Sequence, residues 1–316
     1  MYDESALSNP HLLEGNFWPR EEARRGPSSM LARFGWPRDV WNGLSAVERN
    51  RLIKNMRNLI TSSHFSGVGS FEMIIIKIVN EINEHLSHEL EPPASCHCCD
   101  IDKSRQRVLT SYKKQHRPAH VHSDILDRLE EKDRNTIKRD MMPAKYMRRD
   151  QKKEMNKKIR EFVFDIFDKG ENAREAWCAV HKKMCPLWCK APSAFHGDTP
   201  DSDVEDENAL SFHAAGVICK DASNQGTMQG DAGPNMVLQH VWCAERRQRK
   251  EDLILVECTQ CWEPKSAFNY MPTCYRGFSS MLCAGDVGEF VRRDRRQLLM
   301  WNLERAPCCL FRSVFA

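Results

Sequence analysis

The stretch Phe212-His-Ala-Ala-Gly-Val-Ile-Cys219 decides the fold of this chain, because an apolar run ends in one cysteine and gives way to a polar loop. The loop is polar, with Ser223 and Asn224 near its start, and carries glycines at Gly226, Gly230 and Gly233. Open α/β sheets build their sites from loops at the carboxyl ends of their strands. A lone cysteine there, instead of a Cys-x-x-Cys pair, favours a nucleophile over a metal ligand.

Strand and helix patterns alternate on both sides of this stretch. Candidate strands begin at Ile60, Ala94 and Ala119, and each is followed by turn residues or a helical pattern. The strand Ala209–Ile218 and a helix from Pro234 to Arg249 continue the order, and Asp252–Glu257 is apolar enough for a central parallel strand. Met281–Val287 and Arg296–Leu303 are expected to close the sheet. The alternation predicts an α/β fold with a doubly wound parallel sheet, Rossmann-like in class.

We divide the chain into four segments. Residues 1–45 lack periodicity and are expected to form an irregular arm. Residues 46–126 form the first half of the sheet, preceded by a helix over Ser45–Leu59 that a capping box begins. Residues 127–208 are an insertion between the third and fourth strands, in which Arg128–Lys158 is a solvated helix or a disordered segment and Ile159–His181 is helical. Residues 209–316 form the second half.

Composition limits the class of protein. The 316 residues carry a net charge of +3, and 29% of them are charged, which indicates a mildly basic globular chain. We find no apolar run of membrane-spanning length and no signal-peptide pattern at the N-terminus. Fourteen cysteines are scattered irregularly through a chain longer than typical disulfide scaffolds. We therefore expect reduced thiols and an intracellular protein, nuclear or cytoplasmic.

A glycine turn, Phe65-Ser-Gly-Val-Gly-Ser-Phe-Glu72, follows the first strand and begins a helix. Glycines in that context let the backbone approach a nucleotide-type ligand. Asp100 ends the next strand, where such folds bind ribose hydroxyls, and Asp124 ends the third, within reach of an adenine amino group. Each feature alone also occurs as a tight turn or a helix cap. The three together, in order, indicate an adenosyl cofactor.

Glu257 ends the strongly apolar strand at 252–257. An ionised carboxylate is costly in such surroundings unless it is paired. A glutamate with a raised pKa can protonate a ring nitrogen, whereas the simpler alternative is a cap on the following loop. Its expected position beside the strand that delivers Cys219 favours a functional role.

The ordered motifs resemble the catalytic domain of cytosine-C5 DNA methyltransferases, and most closely its divergent protist members of the dinoflagellate kind. Six stretches carry the resemblance: Phe65–Glu72, Cys99–Asp102, His120–Leu126, Gly216–Cys219 with Ser223 and Gly226, Val256–Cys258 and Val291–Arg296. The resemblance implies a sheet of the seven-strand S-adenosylmethionine methyltransferase type. It also implies a cofactor site formed by Phe65, Ser66, Gly67, Val68, Gly69, Glu72, Asp100, Ile101, Asp124 and Ile125.

The same resemblance implies a reaction. The Cys219 thiolate attacks carbon 6 of a flipped cytosine, Glu257 holds and protonates N3, and Arg293 or Arg295 binds O2. Carbon 5 then takes the methyl group of S-adenosyl-L-methionine.

Some positions depart from the family's pattern. Ile218 replaces the proline before the nucleophile, Lys220 follows it, and Cys258 replaces the asparagine after the glutamate. The sequence ends soon after the last motif, so we expect a partner protein to supply target recognition. Two alternatives stay open: the same chemistry on RNA, such as tRNA, or an inactive methyltransferase-fold protein that acts through a partner.

Two further groups of residues are candidates for binding. Cys178, His181, Cys185 and Cys189 have ligand types suited to zinc, but their spacing is not that of standard knuckles and part of the stretch looks helical, so we predict no metal. Cys96-His-Cys-Cys99 is expected to be core. The basic stretch Lys132–Lys158 either follows phosphates or forms a solvated face.

Overall fold

The computed structural model of the protein describes residues 12–14, 36–57, 59–67, 69–86, 90–113, 116–142, 146–188, 210–217, 221, 228–283 and 294–305. These residues form an α/β fold around one sheet of ten strands, which confirms the predicted α/β class, although the sheet is mixed and not wholly parallel. The strands are β1 (Leu12–Glu14), β2 (Leu59–His64), β3 (Ala94–Cys99), β4 (His120–His122), β5 (Glu175–Cys178), β6 (Lys183–Pro186), β7 (Leu210–Gly216), β8 (Leu253–Thr259), β9 (Tyr275–Cys283) and β10 (Asp294–Asn302).

The order across the sheet is β1-β9-β10-β8-β7-β2-β3-β4-β5-β6. Five adjacent strands, from β4 through β3, β2 and β7 to β8, are parallel. β10 runs antiparallel to both β8 and β9, and the β5–β6 hairpin is antiparallel to β4. The chain leaves β2 toward β3 on one side and returns to β7 on the other. β2 and β7 therefore flank a topological switch point, where a crevice opens at the carboxyl ends of parallel strands.

Helices cover both faces of this sheet. They are α1 (Trp36–Gly43), α2 (Ala46–Arg57), α3 (Ser70–Asn83), α4 (Lys103–Ser111), α5 (Glu131–Thr136), α6 (Arg149–Asp168), α7 (Met236–Arg249) and α8 (Lys265–Phe268). A 3₁₀ turn at Ile125–Arg128 follows β4, and a π-helical turn at Ile137–Met141 follows α5. No helix in the described ranges combines the length and the apolar character needed to cross a bilayer.

One face of the sheet packs against α6 and α7. Ile159, Val163, Ile166 and Phe167 repeat at helical spacing on α6 and are buried in this core. They meet the apolar face of α7 and the strands β7, β8 and β10. The stretch Arg128–Lys158 was predicted to be a solvated helix or a disordered segment. Its last part, Arg149–Lys158, is the mostly exposed start of α6, and the buried apolar residues of that helix begin at Ile159.

The opposite face packs against α1, α2 and α3. Trp41, Met56, Ile75, Val79 and Ile82 form its buried cluster. The predicted capping box begins α2: the backbone N–H of Ser45 donates to Glu48 at 2.8 Å, and that of Glu48 donates to the Ser45 hydroxyl at 3.3 Å. The prediction of an irregular arm over 1–45 was wrong where α1 forms and where β1 pairs with β9.

Two other sequence assignments need correction. The helix expected over Ile159–His181 ends at Asp168, and the chain then forms β5 and β6. The loop expected over 258–280 contains the first half of β9, which begins at Tyr275. β5 is short and amphipathic, with Trp177 exposed, so its alternation was too brief to distinguish from a helix.

A buried ionic network joins β2, the turn after β4, and α7. Oε2 of Glu245 lies 2.9 Å from Nη2 of Arg246 and 3.5 Å from Nε of Arg128. Nη2 of Arg128 also donates to Nε2 of His64 at 2.9 Å, and His64 ends β2. All four side chains are buried. Burial alone would raise the pKa of Glu245, but the two guanidinium groups outweigh it and hold that pKa well below the ordinary value.

We expect Glu245→Gln to lower the free energy of unfolding by about 3 kcal/mol or more, because it leaves buried guanidinium charge uncompensated. Urea denaturation followed by circular dichroism measures the loss. Glu154→Gln, on the exposed face of α6, is the matched control and should change stability by less than about 0.5 kcal/mol. Equal losses in the two variants would show that the network does not stabilise the fold.

Candidate functional site

The carboxyl ends of β2 and β7 meet at the switch point. Phe65, the first residue after β2, has a positive φ of 53°, which is unusual for a residue with a side chain. A Cβ on Gly216, the last residue of β7, would lie 3.2 Å from the carbonyl oxygen of Phe65. Gly216 therefore lets the glycine turn contact the strand that leads to Cys219.

The glycine turn contains two left-handed glycines. Gly69 has a φ of +82° and precedes the first residue of α3, and a Cβ there would lie 3.0 Å from Leu109 and 3.1 Å from Tyr112. Gly67 has a φ of +59°, and a Cβ built there meets no atom of the described residues within 4 Å. Ser66 fixes the turn, because its backbone N–H donates to the carbonyl of Cys99 at 3.1 Å. Gly69 is thus needed for packing, while Gly67 borders open space.

Asp100 connects this turn to the end of β3. Its buried carboxylate accepts from the N–H of Gly67 at 2.8 Å, from the N–H of Asp102 at 2.9 Å and from Arg105 at 3.3 Å. Ile101, the next residue, is 71% exposed although it is apolar. The structure therefore brings Gly67 and Asp100 into contact, with Phe65 and Ile101 close to them along the chain.

The other predicted cofactor residues have different surroundings. Asp124 caps the 3₁₀ turn after β4 and accepts from the N–H of Leu126 at 2.9 Å, while Ile125 is buried in the core. Glu72 is connected to the turn through Ser63: its buried Oε1 accepts from the Ser63 hydroxyl at 2.6 Å and from the Cys98 thiol at 3.1 Å, and Oγ of Ser63 lies 2.6 Å from Oγ of Ser66. Val68 lies outside the described residues.

Glu257 and Arg295 form an ion pair beside the end of β7. Nε of Arg295 lies 2.5 Å from Oε1 of Glu257, and the glutamate side chain is 41% exposed. Glu257 pairs with Gly216 across β7 and β8, and its Oε2 lies 3.9 Å from the position of a Cβ on Gly216. Two of the predicted catalytic residues are thus together. Cys219 and Arg293 lie outside the described residues.

Asp221 is a site residue that the sequence did not indicate. It lies two positions after Cys219 and is buried. Its carboxylate accepts from the backbone N–H of Asn235 at 2.8 Å and from the amide side chain at 3.1 Å, and its carbonyl accepts from Gly230 at 2.7 Å. A Cβ on Gly233 would lie about 2.0 Å from this carboxyl group. These contacts tie the chain after the cysteine to the N-terminus of α7.

A cavity of about 170 Å³ lies between the glycine turn and the ends of β7 and β8. Phe65, Val217, Asp221 and Trp262 contribute to its lining. It is smaller than the roughly 300–1,000 Å³ of pockets for drug-sized ligands. Its size suits a ring-sized group near the predicted nucleophile loop.

A basic groove of about 400 Å³ adjoins the cavity and shares Asp231, Met236, Glu263 and Ser266 with it. Its cationic lining comes from α6 and α8: Lys153, Lys157, Arg160 and Lys265. Arg160 is fixed by a 2.6 Å hydrogen bond to the hydroxyl of Tyr270. The basic stretch 132–158 thus contributes to the groove through the middle of α6.

Three of the four predicted zinc candidates lie together on the β5–β6 hairpin. Cys178, His181 and Cys185 have candidate ligand atoms within 4.8 Å of one another, and His120 of β4 completes the group. Cys189 lies outside the described residues. The sequence suggested that part of this stretch is helical, which spoke against a zinc site. The structure has strands there instead, because Cys178 ends β5 and Cys185 lies in β6. Cys96, Cys98 and Cys99 are buried, in agreement with the prediction of core packing.

Comparison of the chain with models of known protein families, and with curated protein sequences, gives no match.

We expect Gly69→Ala to destabilise the protein more than Gly67→Ala. Both substitutions place a side chain at positive φ, at a cost of about 1–2 kcal/mol, but only the methyl group at Gly69 collides with α4. Chemical denaturation of the two variants measures the difference. Equal stability of the two variants would show that α4 yields to the added methyl group without cost.

Proposed function

We propose that the protein is an S-adenosylmethionine-dependent methyltransferase that methylates carbon 5 of cytosine in DNA through a Cys219 adduct. The observation that carries the proposal is the Glu257–Arg295 pair. Glu257 of this pair lies on β8, which is next to β7 on one side. On the other side of β7 is β2, which leads into the glycine turn, and the switch point is at the ends of β2 and β7. An acid and a cation beside the strand that leads to Cys219 suit polar recognition of a pyrimidine ring.

The sheet supports this proposal. Five parallel strands and the β10–β9 pair give the seven strands of the implied methyltransferase type, while β1, β5 and β6 extend its edges. The predicted motifs follow the carboxyl ends of β2, β3, β4, β7 and β8. Because these ends share one edge of the sheet, residues far apart in sequence converge on one crevice.

The residues around the glycine turn fit an adenosyl cofactor in two respects. The space over Gly67 is open to a close approach of a ligand, and exposed Ile101 offers an apolar surface beside it. Asp100 already accepts three hydrogen bonds, so it would position the Gly67 backbone and has one acceptor site left for a ribose hydroxyl. The bound cofactor would supply an electrophilic methyl group.

The roles of the catalytic side chains follow from their chemistry. The Cys219 thiolate forms a bond to carbon 6, and the electron pair of the 5,6 double bond becomes available at carbon 5 as N3 gains a proton from Glu257. Arg295 holds Glu257 and presents donors to the O2 of the base. After carbon 5 is methylated, N3 returns its proton to Glu257, a base removes the proton on carbon 5, the 5,6 double bond reforms and the Cys219 thiolate leaves.

A nucleic-acid substrate is favoured by the basic groove beside the cavity. Lys153, Lys157, Arg160 and Lys265 bring four cationic side chains to one concave surface. Phosphate contacts from such side chains position a strand and contribute most of the non-specific affinity. A target base must leave the helical stack before a cysteine can attack it, and the small cavity is suited to an extruded ring.

The first test is methyl transfer from labelled S-adenosylmethionine to double-stranded DNA. We expect label on cytosine carbon 5, no transfer by Cys219→Ser, and at least about a hundredfold lower rate for Glu257→Gln, because a general acid typically contributes that much. Cys274→Ser, which changes a free cysteine outside the site, should retain full activity. Transfer to tRNA alone would identify the substrate as RNA.

Equilibrium dialysis with the labelled cofactor separates the remaining outcomes. Binding without transfer to either polymer would support a methyltransferase-fold protein that acts through a partner. Absence of binding by the folded protein would overturn the proposal.

The groove makes a second prediction. Replacing Lys157 and Lys265 with Ala should weaken DNA binding and reduce the slope of log affinity against log salt by about two. Fluorescence anisotropy over a salt series measures this slope. Replacing exposed Lys138 with Ala is the matched control and should leave the slope unchanged. If the slope of the double variant is unaltered, DNA does not bind in this groove.

A further inference from the structure

A cluster of sulfur and nitrogen atoms lies at the far edge of the sheet, apart from the crevice. It consists of His120 at the start of β4, Cys178 at the end of β5, His181 in the following turn and Cys185 in β6. One ligand atom from each residue lies within 4.8 Å of all the others. Both cysteines are buried and unoxidised, whereas His181 is exposed.

The local backbone explains why these residues meet. Ala176 is directly opposite Cys185 in the β5–β6 register, and Cys178 lies two residues further along β5 on the same face. The cysteines are therefore diagonal neighbours. The N–H of Lys182 donates to the carbonyl of Cys178 at 2.8 Å and closes the turn that carries His181. Cys178 also pairs with His122 of β4, which brings His120 within reach.

The distances match a tetrahedral metal site. Nδ1 of His181 lies 3.5 Å from Sγ of Cys178 and 3.5 Å from Sγ of Cys185. A tetrahedron with zinc–sulfur bonds of about 2.3 Å and zinc–nitrogen bonds of about 2.0–2.1 Å has sulfur–nitrogen edges of about 3.5 Å. In addition, Nδ1 of His120 is buried and has no hydrogen-bond partner among the described residues. Its lone pair can thus bind a metal without competition from a described hydrogen-bond donor.

We propose that His120, Cys178, His181 and Cys185 bind one structural zinc ion. Two thiolates and two imidazoles form a complete tetrahedral set, and soft sulfur with imidazole nitrogen favours zinc over magnesium or calcium. The two thiolates neutralise the charge of the ion. With four protein ligands the site is closed, which is typical of structural and not of catalytic zinc.

A bound ion would stabilise the β5–β6 hairpin, which has few stabilising contacts of its own. Each of its strands has four residues, and only one residue pair joins β5 to β4. An isolated two-stranded hairpin is marginally stable in water. Trp177 and Met184 on its other face are more than half exposed, so that face contributes little burial. Zinc would join both strands of the hairpin to β4.

The experiment uses the full chain, purified under reducing conditions with zinc present. We expect one zinc per protein after gel filtration, and replacement with Co²⁺ should give the visible d–d bands of a tetrahedral complex together with thiolate-to-cobalt charge transfer. Removing the zinc with a chelator should lower the melting temperature, and adding zinc back should restore it.

Substitutions identify the ligands. We expect His181→Ala, Cys178→Ser and Cys185→Ser each to lower zinc affinity in a chelator competition by more than the 10–100-fold typical of an outer-shell change. Because His181 is exposed, His181→Ala should fold. This variant therefore still tests the proposal if a cysteine variant fails to fold. Cys274→Ser is the control cysteine and should bind zinc normally. If Cys189→Ser loses the zinc while His120→Ala retains it, His120 is not the fourth ligand.

Several outcomes would overturn the proposal itself. One is folded protein that binds neither zinc nor cobalt; another is a Cys178–Cys185 disulfide in protein that has never been oxidised deliberately. A third is unchanged zinc affinity in His181→Ala and both cysteine variants. None of these measurements depends on methyl transfer, so the zinc site and the proposed activity can fail separately.

Discussion

The position of the crevice depends on the ion pairs of Glu245 with Arg128 and Arg246. These buried groups come from α7 and from the turn after β4, and Arg128 connects them to His64 at the end of β2. Arg128 also donates to the carbonyl of Asp124 at 3.3 Å. One carboxylate therefore helps to fix the ends of two strands that carry predicted site residues. Removing it would affect both ends together, because a buried charge must be compensated where it lies.

The network also determines the state of the nearby histidines. Arginine has only donors, so Nε2 of His64 must accept and that ring is neutral. Burial, reinforced by Arg128, lowers the pKa of His64 well below its ordinary value. His64, His97 and Glu245 are close enough to hold a cation, but the two guanidinium groups already neutralise the carboxylate. The hairpin cluster instead consists of two thiols and two imidazoles, so a cation bound there would not displace a buried ion pair.

The sequence could predict those parts of the fold whose signals are local. Leu253–Val256 is apolar throughout, and it is a central strand. The capping box at Ser45 and the glycine turn at Gly67 and Gly69 also formed as expected. For α6 the sequence predicted a helix from Ile159 and left Arg149–Lys158 open between a solvated helix and disorder, because those residues are mostly charged and give no apolar spacing. Partners distant in sequence were missed for a related reason: neither Asp221 with Asn235 nor His120 with Cys185 leaves a periodic signal.

β4 shows how these distant contacts work together. A strand of three residues forms few ladder hydrogen bonds of its own, and it pairs with β3 over only three positions. Its first residue, His120, belongs to the cluster on the hairpin, and the turn after it is held by Arg128. Contacts at both ends thus compensate for its short length. The position of Asp124 follows from them, because this residue lies between the strand and the arginine, and its own side chain caps the turn. The edge of the crevice is therefore fixed mainly by side chains from other elements.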